Sequence, residues 1–181
     1  MKKLFVLFVV SLFAFMANAQ EHMKFMGIPL DGTISNFNSK LLSKGIKVHP
    51  NNSHASTGQK WYVGTFFGED AEIYVYFNPK TQIVYRAKAV IDRPDVDHLK
   101  SVFTNVSTSI ENKYEATRFD DIQNGYEACE FDISSSGSII GEIDLYTFEY
   151  GVGYNKRYYF NIDYIDAQGR KEYLESIDDD I

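Results

Sequence analysis

The sequence has little cysteine, proline or positive charge. It contains one Cys and four Pro in 181 residues, and its 18 basic side chains are outnumbered by 25 acidic ones. A single cysteine excludes an internal disulfide framework. The few prolines, together with an apolar content of 44%, exclude intrinsic disorder and the fibrous classes. The acidic balance argues against a nucleic-acid partner, because binding of nucleic acid needs a basic patch.

The first 19 residues have the pattern of a secretory signal peptide. Two lysines precede an apolar run at positions 4–16, and the small residues Ala17-Asn18-Ala19 follow. A positive segment, an apolar segment and an A-x-A site in this order are typical of exported proteins. The apolar run is 13 residues long, whereas a membrane-spanning helix needs about 20. We therefore predict removal of residues 1–19, no membrane anchor afterwards, and a mature chain located in the periplasm or outside the cell.

Hydrophobic periodicity predicts one helix and three strands in the first half of the mature chain. Ile34, Phe37 and Leu41 recur at helical spacing. Thr33 before them is a suitable N-cap, and Gly45 after them is a suitable terminator. A polar loop follows. Three strand-like runs then follow at residues 60–67, 71–78 and 82–91. Because short turns separate them, we expect these strands to be antiparallel neighbours.

The second half shows the same order of patterns. Leu99, Phe103 and Val106 form one face of a helix, and the carboxylates of Asp95 and Asp97 complement the dipole at its start. Residues 116–125 form a polar stretch, and the pattern predicts no strand there. Three strand patterns and a short terminal helix follow, at residues 126–133, 138–150, 154–165 and 168–177.

The order α-β-β-β-α-β-β-β-α predicts an α+β fold, in which the helices pack on one face of an antiparallel sheet. The two main helix starts lie about 62 residues apart, a period long enough for a structural repeat. We predict a single domain over residues 20–181, built from two α-β-β-β units at about 25–91 and 92–181. The halves share no evident residue identity, so the predicted repeat is one of topology.

One segment resembles the opening of uncharacterised secreted proteins of anaerobic gut bacteria: Phe25-Met26-Gly27-Ile28-Pro29-Leu30-Asp31-Gly32-Thr33-Ile34. A helix ending at Lys44-Gly45 follows it in both. Two later segments are similar to strand motifs of the same proteins, Gly64-Thr65-Phe66-Phe67-Gly68 and Val84-Tyr85-Arg86. This resemblance covers the first half of the mature chain and implies no function. The tandem layout is also similar in architecture to β-lactamase-inhibitor-like repeat proteins, and that resemblance implies binding to another protein.

The residues that most often carry catalysis or hold metals are poorly placed in this sequence. The four histidines stand at positions 22, 49, 54 and 98, and no pair has the helical or strand spacing of a zinc site. Cys129 alternates with Phe131 and Ile133, which predicts a small buried side chain rather than a nucleophile. We therefore expect no catalytic cysteine or histidine, no metal site and no cofactor.

Paired carboxylates leave one catalytic alternative open. Glu142 and Asp144 lie two apart on one strand, and Asp163 on a neighbouring strand can share their face. Two carboxyl groups about 5–9.5 Å apart are what a glycosidase requires. Most acidic sheet proteins contain such a pair, so the pattern alone does not identify an enzyme.

The distribution of aromatic residues is the most informative feature. Period-two sorting assigns to the core face Ile73, Val75, Phe77, Ile83, Tyr85, Ala87, Ala89, Ile91, Cys129, Phe131, Ile133, Ile139, Ile143, Leu145, Tyr158, Phe160 and Ile162. It leaves on the other face Val84, Lys88 and a set rich in Tyr and Arg. We take as candidate binding residues Tyr74, Tyr76, Arg86, Tyr146, Phe148, Arg157 and Tyr159. This composition is typical of protein-recognition surfaces, although Tyr and Phe also favour any strand.

The sequence therefore predicts an exported, non-catalytic binding module that holds a protein partner on a tyrosine-rich sheet face. The alternatives are a small secreted hydrolase that uses the carboxylates, and a glycan-binding accessory protein whose tyrosines stack on sugars. An enzyme should have a concave pocket where the carboxylates converge with perturbed pKa values, whereas a binding module should have an open aromatic surface. The sequence leaves the oligomeric state open.

Overall fold

The computed structural model describes residues 21–178 with the exception of Ala55, Pro94 and Asn124. The predicted signal peptide and its cleavage site lie outside the described residues. Among the helices of the described ranges, none combines the length and the apolar character that crossing a membrane would require.

Three helices and ten strands make up the described part of the chain. In chain order these elements are β1 (Lys24–Phe25), β2 (Ile28–Pro29), α1 (Ile34–Ser43), β3 (Lys47–Val48), β4 (Gln59–Phe66), β5 (Glu69–Phe77), β6 (Val84–Arg93), α2 (Val96–Lys113), β7 (Glu115–Gln123), β8 (Tyr126–Ser135), β9 (Ser138–Tyr150), β10 (Arg157–Asp166) and α3 (Ala167–Asp178). The predicted α+β class with antiparallel sheet is confirmed.

Eight of the strands form one antiparallel sheet in the order β3-β4-β5-β6-β10-β9-β8-β7. Strands β1 and β2 pair separately with each other. The two halves of the chain meet where β10 pairs with β6, from Tyr158 opposite Arg93 to Ile165 opposite Arg86. Each half therefore contributes four neighbouring strands to one continuous sheet, and the prediction of two α-β-β-β units is wrong in its strand count.

Strand β7 occupies the polar stretch in which no strand was predicted. It pairs with β8 without a register shift, from Glu115 opposite Ser134 to Gln123 opposite Tyr126. Almost all of its side chains are exposed on both sides of the sheet. A strand with no buried face has no hydrophobic alternation, and this explains why the sequence pattern did not reveal it.

Helices α1 and α2 begin as the sequence predicts. The Thr33 hydroxyl accepts a hydrogen bond from the Asn36 amide, and Asp95 accepts one from the Asp97 amide. Gly45, just after α1, has a φ of +84°, which suits a glycine terminator. Both helices bury an apolar stripe against the same face of the sheet, and Phe103 of α2 contacts Phe160 of β10 with ring centroids 5.7 Å apart.

The core forms between these two helices and the predicted face of the sheet. Most residues assigned to that face are buried, among them Ile73, Val75, Ala87, Ala89, Ile91, Phe131, Ile143, Leu145, Phe160 and Ile162. Cys129 is buried too, as predicted, and desolvation raises the pKa of its thiol to about 11. A buried thiol with a raised pKa is chemically inert at neutral pH.

Two register shifts make part of the face assignment wrong. The β5–β6 ladder shifts between Tyr76 and Phe77, and the buried residue at the start of β6 is Val84, which was assigned to the opposite face. The β8–β9 ladder shifts between Ile133 and Ser134, and Ile139, assigned to the core, is 56% exposed. Each bulge inserts a residue and reverses the alternation on one side of it.

Helix α3 departs from the prediction that all helices pack on one face. Its Arg170 forms an ion pair with Glu142, which lies on the side of the sheet opposite α1 and α2. Its Tyr173 stacks on Tyr85 at the β5–β6 bulge, with ring centroids 4.6 Å apart. Tyr85 was assigned to the core and is instead half-buried beneath this helix. Helix α3 thus covers one end of the second face, and no other helix of residues 21–178 packs on the rest of it.

We expect Gly141→Ala to destabilise the protein by about 2–3 kcal/mol through overpacking. A Cβ at this position would lie 2.2 Å from the Ile165 carbonyl oxygen and 2.2 Å from Met23 Cγ. Met23 has little freedom to move, because its amide donates a 2.9 Å hydrogen bond to the buried Asp166 carboxylate. Urea-induced unfolding measures the effect.

The matched control is Gly32→Ala. The nearest atom to a Cβ at Gly32 is Asn36 Nδ2 at 3.9 Å, so the change should alter the free energy of unfolding by less than about 0.5 kcal/mol. Equal unfolding midpoints for the two variants would contradict the close packing of β9 against the N-terminal segment.

Candidate binding face

The face of the eight-stranded sheet opposite α1 and α2 carries the candidate residues, and we call it the open face. Strand register places Lys88 of β6 beside Asp163 of β10, and Asp163 beside Asp144 of β9. The adjacent row contains Asn161 of β10 beside Tyr146 of β9. The centre of the open face is therefore polar and charged, with aromatic residues around it.

An ion pair between Arg86 and the buried Asp163 lies at the centre of the open face. Arg86 Nε donates to Asp163 Oδ1 at 2.9 Å, and a second guanidinium nitrogen contacts the other carboxylate oxygen. Asp163 is only 1% exposed. Hydrogen bonding to this carboxylate raises the pKa of Arg86 above its usual range. The guanidinium also lies 4.8 Å from the centre of the Tyr76 ring, so the predicted residues Tyr76 and Arg86 are in contact.

A row of stacked rings borders this centre on strands β4 and β5. Trp61 stacks on Tyr74 with centroids 5.5 Å apart, and His49 stacks on the Trp61 ring at 3.7 Å. The Lys88 ammonium lies 5.4 Å from the Tyr74 ring centre. Burial lowers the pKa of Lys88 below its usual value. Trp61 was missing from the predicted site, although its alternation with the buried Tyr62 was a sequence signal for this face.

The other predicted residues lie at one end of the open face. Phe148 and Tyr159 stack with centroids 5.0 Å apart and ring planes 12° from parallel. Arg157 donates to Asp92 at 2.7 Å. Tyr146 lies two residues before Phe148 on β9, and side chains two apart on a strand share a face. The seven candidates thus lie on one face in two groups, one on β5 and β6 (Tyr74, Tyr76 and Arg86) and one on β9 and β10 (Tyr146, Phe148, Arg157 and Tyr159).

Asp144 is electrostatically unusual. It is half-buried and lies opposite Asp163 on one side and Glu130 on the other. Desolvation raises the pKa of Asp144 to about 7, and the negative charges of Glu142, Asp163 and Glu130 act in the same direction. The other two predicted carboxylates are neutralised by cations, since Asp163 pairs with Arg86 and Glu142 with Arg170. Sequence reasoning found the cluster but did not distinguish its members.

Two buried polar atoms at the centre of the open face have no hydrogen-bond partner within the described residues. They are Nδ2 of Asn161, a side chain only 1% exposed, and Oδ1 of Asp144. Buried polar groups are satisfied in the great majority of native structures. Asn161 and Asp144 are diagonal neighbours on adjacent strands, so one donor and one acceptor lie close together without partners.

The open face has a shallow groove and one small pocket. The groove, of about 570 Å³, has Val63 and Val90 in its lining together with Glu72, Asp92 and Arg157. The pocket, of about 260 Å³, includes Asp144, Tyr146 and Glu130 in its lining. Small-molecule sites typically occupy roughly 300–1,000 Å³, so the pocket beside Asp144 is small for an enclosed substrate site.

The described histidines lie in separate contacts. His22 contacts Asp166 at 3.1 Å, and His98 contacts Glu69 at 3.0 Å. His49 stacks on Trp61. Over the ranges that the structure covers, three or more His, Cys, Asp or Glu side chains are nowhere grouped so as to hold a metal ion.

Comparison with protein-family models, with curated proteins and with solved structures finds no match to this chain. The resemblance of the opening segment to secreted proteins of gut bacteria stays a prediction. The function has to be inferred from the geometry and the chemistry of the open face.

We expect Asp144 to make the stability of the protein dependent on pH. The pKa of its carboxyl is about 7 in the folded chain and about 4 in an unfolded one. Between these two pH values the folded chain binds more protons at Asp144 than the unfolded chain does. The stabilisation that this proton gives to the folded state is complete below about pH 4 and is lost as the pH rises through 7. The free energy of unfolding of the wild type should fall between pH 5 and pH 8 relative to that of Asp144→Asn, as urea titrations at each pH will measure.

Glu127→Gln is the matched control for this experiment, because Glu127 is an exposed carboxyl on the neighbouring strand β8. It should keep the pH dependence of the wild type. Parallel curves for the wild type and Asp144→Asn would show that Asp144 titrates near its ordinary pKa.

Proposed function

We propose that this chain is an exported, non-catalytic binding module that holds a protein partner on its open face. The observation that carries the proposal is the polar centre, where the Asn161 donor and the Asp144 acceptor lie buried and unpartnered within the described part of the chain. A peptide group supplies both complementary functions, a carbonyl oxygen for Asn161 and an N–H for Asp144. Because both atoms are buried, a partner's main-chain or side-chain amide would satisfy them only after the surrounding side chains move aside.

The surroundings of this centre support a protein partner. Tyr146, Phe148 and Tyr159 lie next to it, and the groove with Arg157 in its lining adjoins them. Aromatic and arginine side chains beside a desolvated polar centre are typical of the residues that dominate protein–protein affinity. An open sheet face of this kind also fits a broad partner surface better than an enclosed small molecule.

The glycan-binding alternative is less well supported, because stacking on a sugar needs a free ring face. Both faces of Trp61 are occupied, one by His49 and one by Tyr74. Phe148 and Tyr159 cover each other, and the Arg86 guanidinium lies over Tyr76. At least one face of each of these rings is therefore occupied by another group of the protein.

A carboxylate hydrolase remains the second candidate because of one observation. Asp144, with a pKa of about 7, has the property of a general acid at neutral pH, and Glu130 lies opposite it. The small pocket and the neutralisation of Asp163 and Glu142 by arginines weigh against this function. A hydrolase through Asp144 would lose turnover in Asp144→Asn, whereas a binding module has no turnover to lose.

Export is part of the proposal and rests on the signal pattern of residues 1–19. We expect the exported protein to begin at Gln20, and N-terminal sequencing of protein recovered from outside the cytoplasm measures this. A first residue of Met1 in that fraction would contradict cleavage.

We expect Tyr159→Ser to weaken capture of the partner by about 30-fold or more, as loss of a central aromatic anchor does. The matched control is Tyr158→Ser. Tyr158 is the preceding residue on β10, is also half-buried, and points to the opposite side of the sheet. Each variant should lose only about 1 kcal/mol in free energy of unfolding. The measurement is a pull-down from the exported protein fraction of the producing cells, with quantification of the captured protein.

Tyr146→Ser extends this comparison to the polar centre and should behave like Tyr159→Ser. Equal capture by the wild type and all three variants would show that the open face is not the binding site. A stability loss of several kcal/mol in Tyr146→Ser would show that this tyrosine belongs to the core rather than to a recognition surface.

A further inference from the structure

Strand β7 is a long edge of the eight-stranded sheet. Its nine residues pair with β8 on one side, and no described strand pairs with the other side. The opposite edge is the two-residue strand β3. Proteins usually protect an edge with proline, lysine, a bulge or a very short strand. Strand β7 has neither proline nor lysine, and its ladder with β8 runs without a shift, so its four charged side chains are the feature that limits pairing with other chains.

Two large apolar side chains on this edge are exposed to solvent. Phe119 is 52% exposed and Ile122 is 64% exposed. Phe119 lies opposite Glu130, and Arg118 lies opposite the buried Phe131. Phe119 therefore belongs to the open face, whereas Arg118, Asp120 and Ile122 belong to the side of α2. The Arg118 side chain indeed reaches Glu111 of α2 at 2.8 Å.

The charges of β7 are self-complementary about its central residue. If two copies pair antiparallel with Phe119 opposite Phe119, Arg118 of each copy faces Asp120 of the other. Ala116 then faces Ile122, and Thr117 faces Asp121. No facing pair therefore brings like charges together. The apolar pairs and the oppositely charged pairs are of the kinds that stabilise a cross-strand ladder.

The neighbouring registers are unfavourable. If the two sheets join into one, the open face of one copy must continue the open face of the other. Each allowed register therefore has one residue that faces its own copy at the centre, and a change of register moves this centre to another residue. Centring on Arg118 places two arginines opposite each other and Glu115 opposite Asp121. Centring on Asp120 or Asp121 places two aspartates opposite each other. Centring on Thr117 or Ile122 avoids like charges but pairs only part of the strand, so the register centred on Phe119 is the one that pairs all nine residues without like charges.

The geometry points to a homodimer in which β7 of two copies pair antiparallel about Phe119, so that two eight-stranded sheets become one. The occupant of the edge is a second copy, because the charge pattern complements itself. The association gains main-chain hydrogen bonds along the nine residues of β7 and buries Phe119 and Ile122. This inference does not depend on the proposed function of the open face.

Charge reversal tests the register. Arg118→Asp places two aspartates opposite each other at both symmetric positions, and Asp120→Arg does the same with arginines. Each change should weaken self-association at least about tenfold, since like charges across a ladder are destabilising. Analytical ultracentrifugation over a concentration series should give a dimer for the wild type and a monomer for each variant.

Mixing the two variants provides the decisive control. In a mixed pair, the aspartate introduced at position 118 of one copy faces the arginine introduced at position 120 of the other. At the second symmetric position the native Asp120 faces the native Arg118, so both contacts are again between opposite charges. An equimolar mixture should therefore form a heterodimer, whereas neither variant associates alone, and this recovery also shows that both chains are folded. A monomeric mixture, or a wild type that stays monomeric throughout the series, overturns the proposal.

Cross-linking measures the position of the symmetry axis. Facing Cα atoms across an antiparallel ladder lie about 4.5–5.5 Å apart, within the range for a disulfide. Phe119→Cys should form a covalent dimer under mild oxidation. Thr117→Cys, on the same strand and the same face, should not, because its two copies would lie about 14 Å apart. The native Cys129 is buried and should not react. Equal cross-linking of both variants contradicts the register.

Discussion

The structure depends on the pairing of β6 with β10, because this ladder joins two groups of four strands into one sheet. On the core side it packs the small residues Ala87 and Ala89 beside Tyr164 and Ile162. On the open face it places Arg86 within hydrogen-bond distance of Asp163, although the two residues are 77 positions apart. A buried ion pair is costly to desolvate, and removing one partner alone is strongly destabilising. The pair thus favours this register of the two halves over others.

Most of the open face is uncovered because the three described helices are too few to cover both sides of an eight-stranded sheet. Helices α1 and α2 cover the core face, while α3 reaches only the end of the other face near Glu142 and Tyr85. Side chains in the middle must therefore satisfy one another, as Tyr74 does with Glu72 at 2.6 Å. Among the described residues of the open face, this mutual satisfaction fails at Asn161 and Asp144 in the centre and at the Trp61 ring nitrogen on the border. A polar centre that is buried yet incompletely paired costs stability, and this cost is the reason that we place the proposed binding site here.

The sequence was sufficient for features that depend on local pattern. The starts of α1 and α2 followed from Thr33 and Asp95 and from the spacing of buried residues such as Phe103. Alternation placed most strand residues on the correct face and failed beside bulges, as at Val84 and Ile139. It failed completely for β7, which has no buried face. The contact between Arg86 and Asp163, and the orphaned Asn161 beside Tyr146, depend on pairing between strands distant in sequence, which no local pattern encodes.

If the sheet is continuous across two copies, the contact at the β7 edge determines where the two open faces lie relative to each other. A two-fold axis perpendicular to the sheet at Phe119 keeps the open faces of both copies on the same side. Each open face then begins within a few strands of the axis, since β9 with Tyr146 and Phe148 lies only two strands from β7. A repetitive or dimeric partner would engage both faces at once, and the second contact would be intramolecular with a high effective concentration. A face of modest affinity in one copy would in this way bind tightly through the assembly, so the exposed edge would contribute to recognition without contacting the partner.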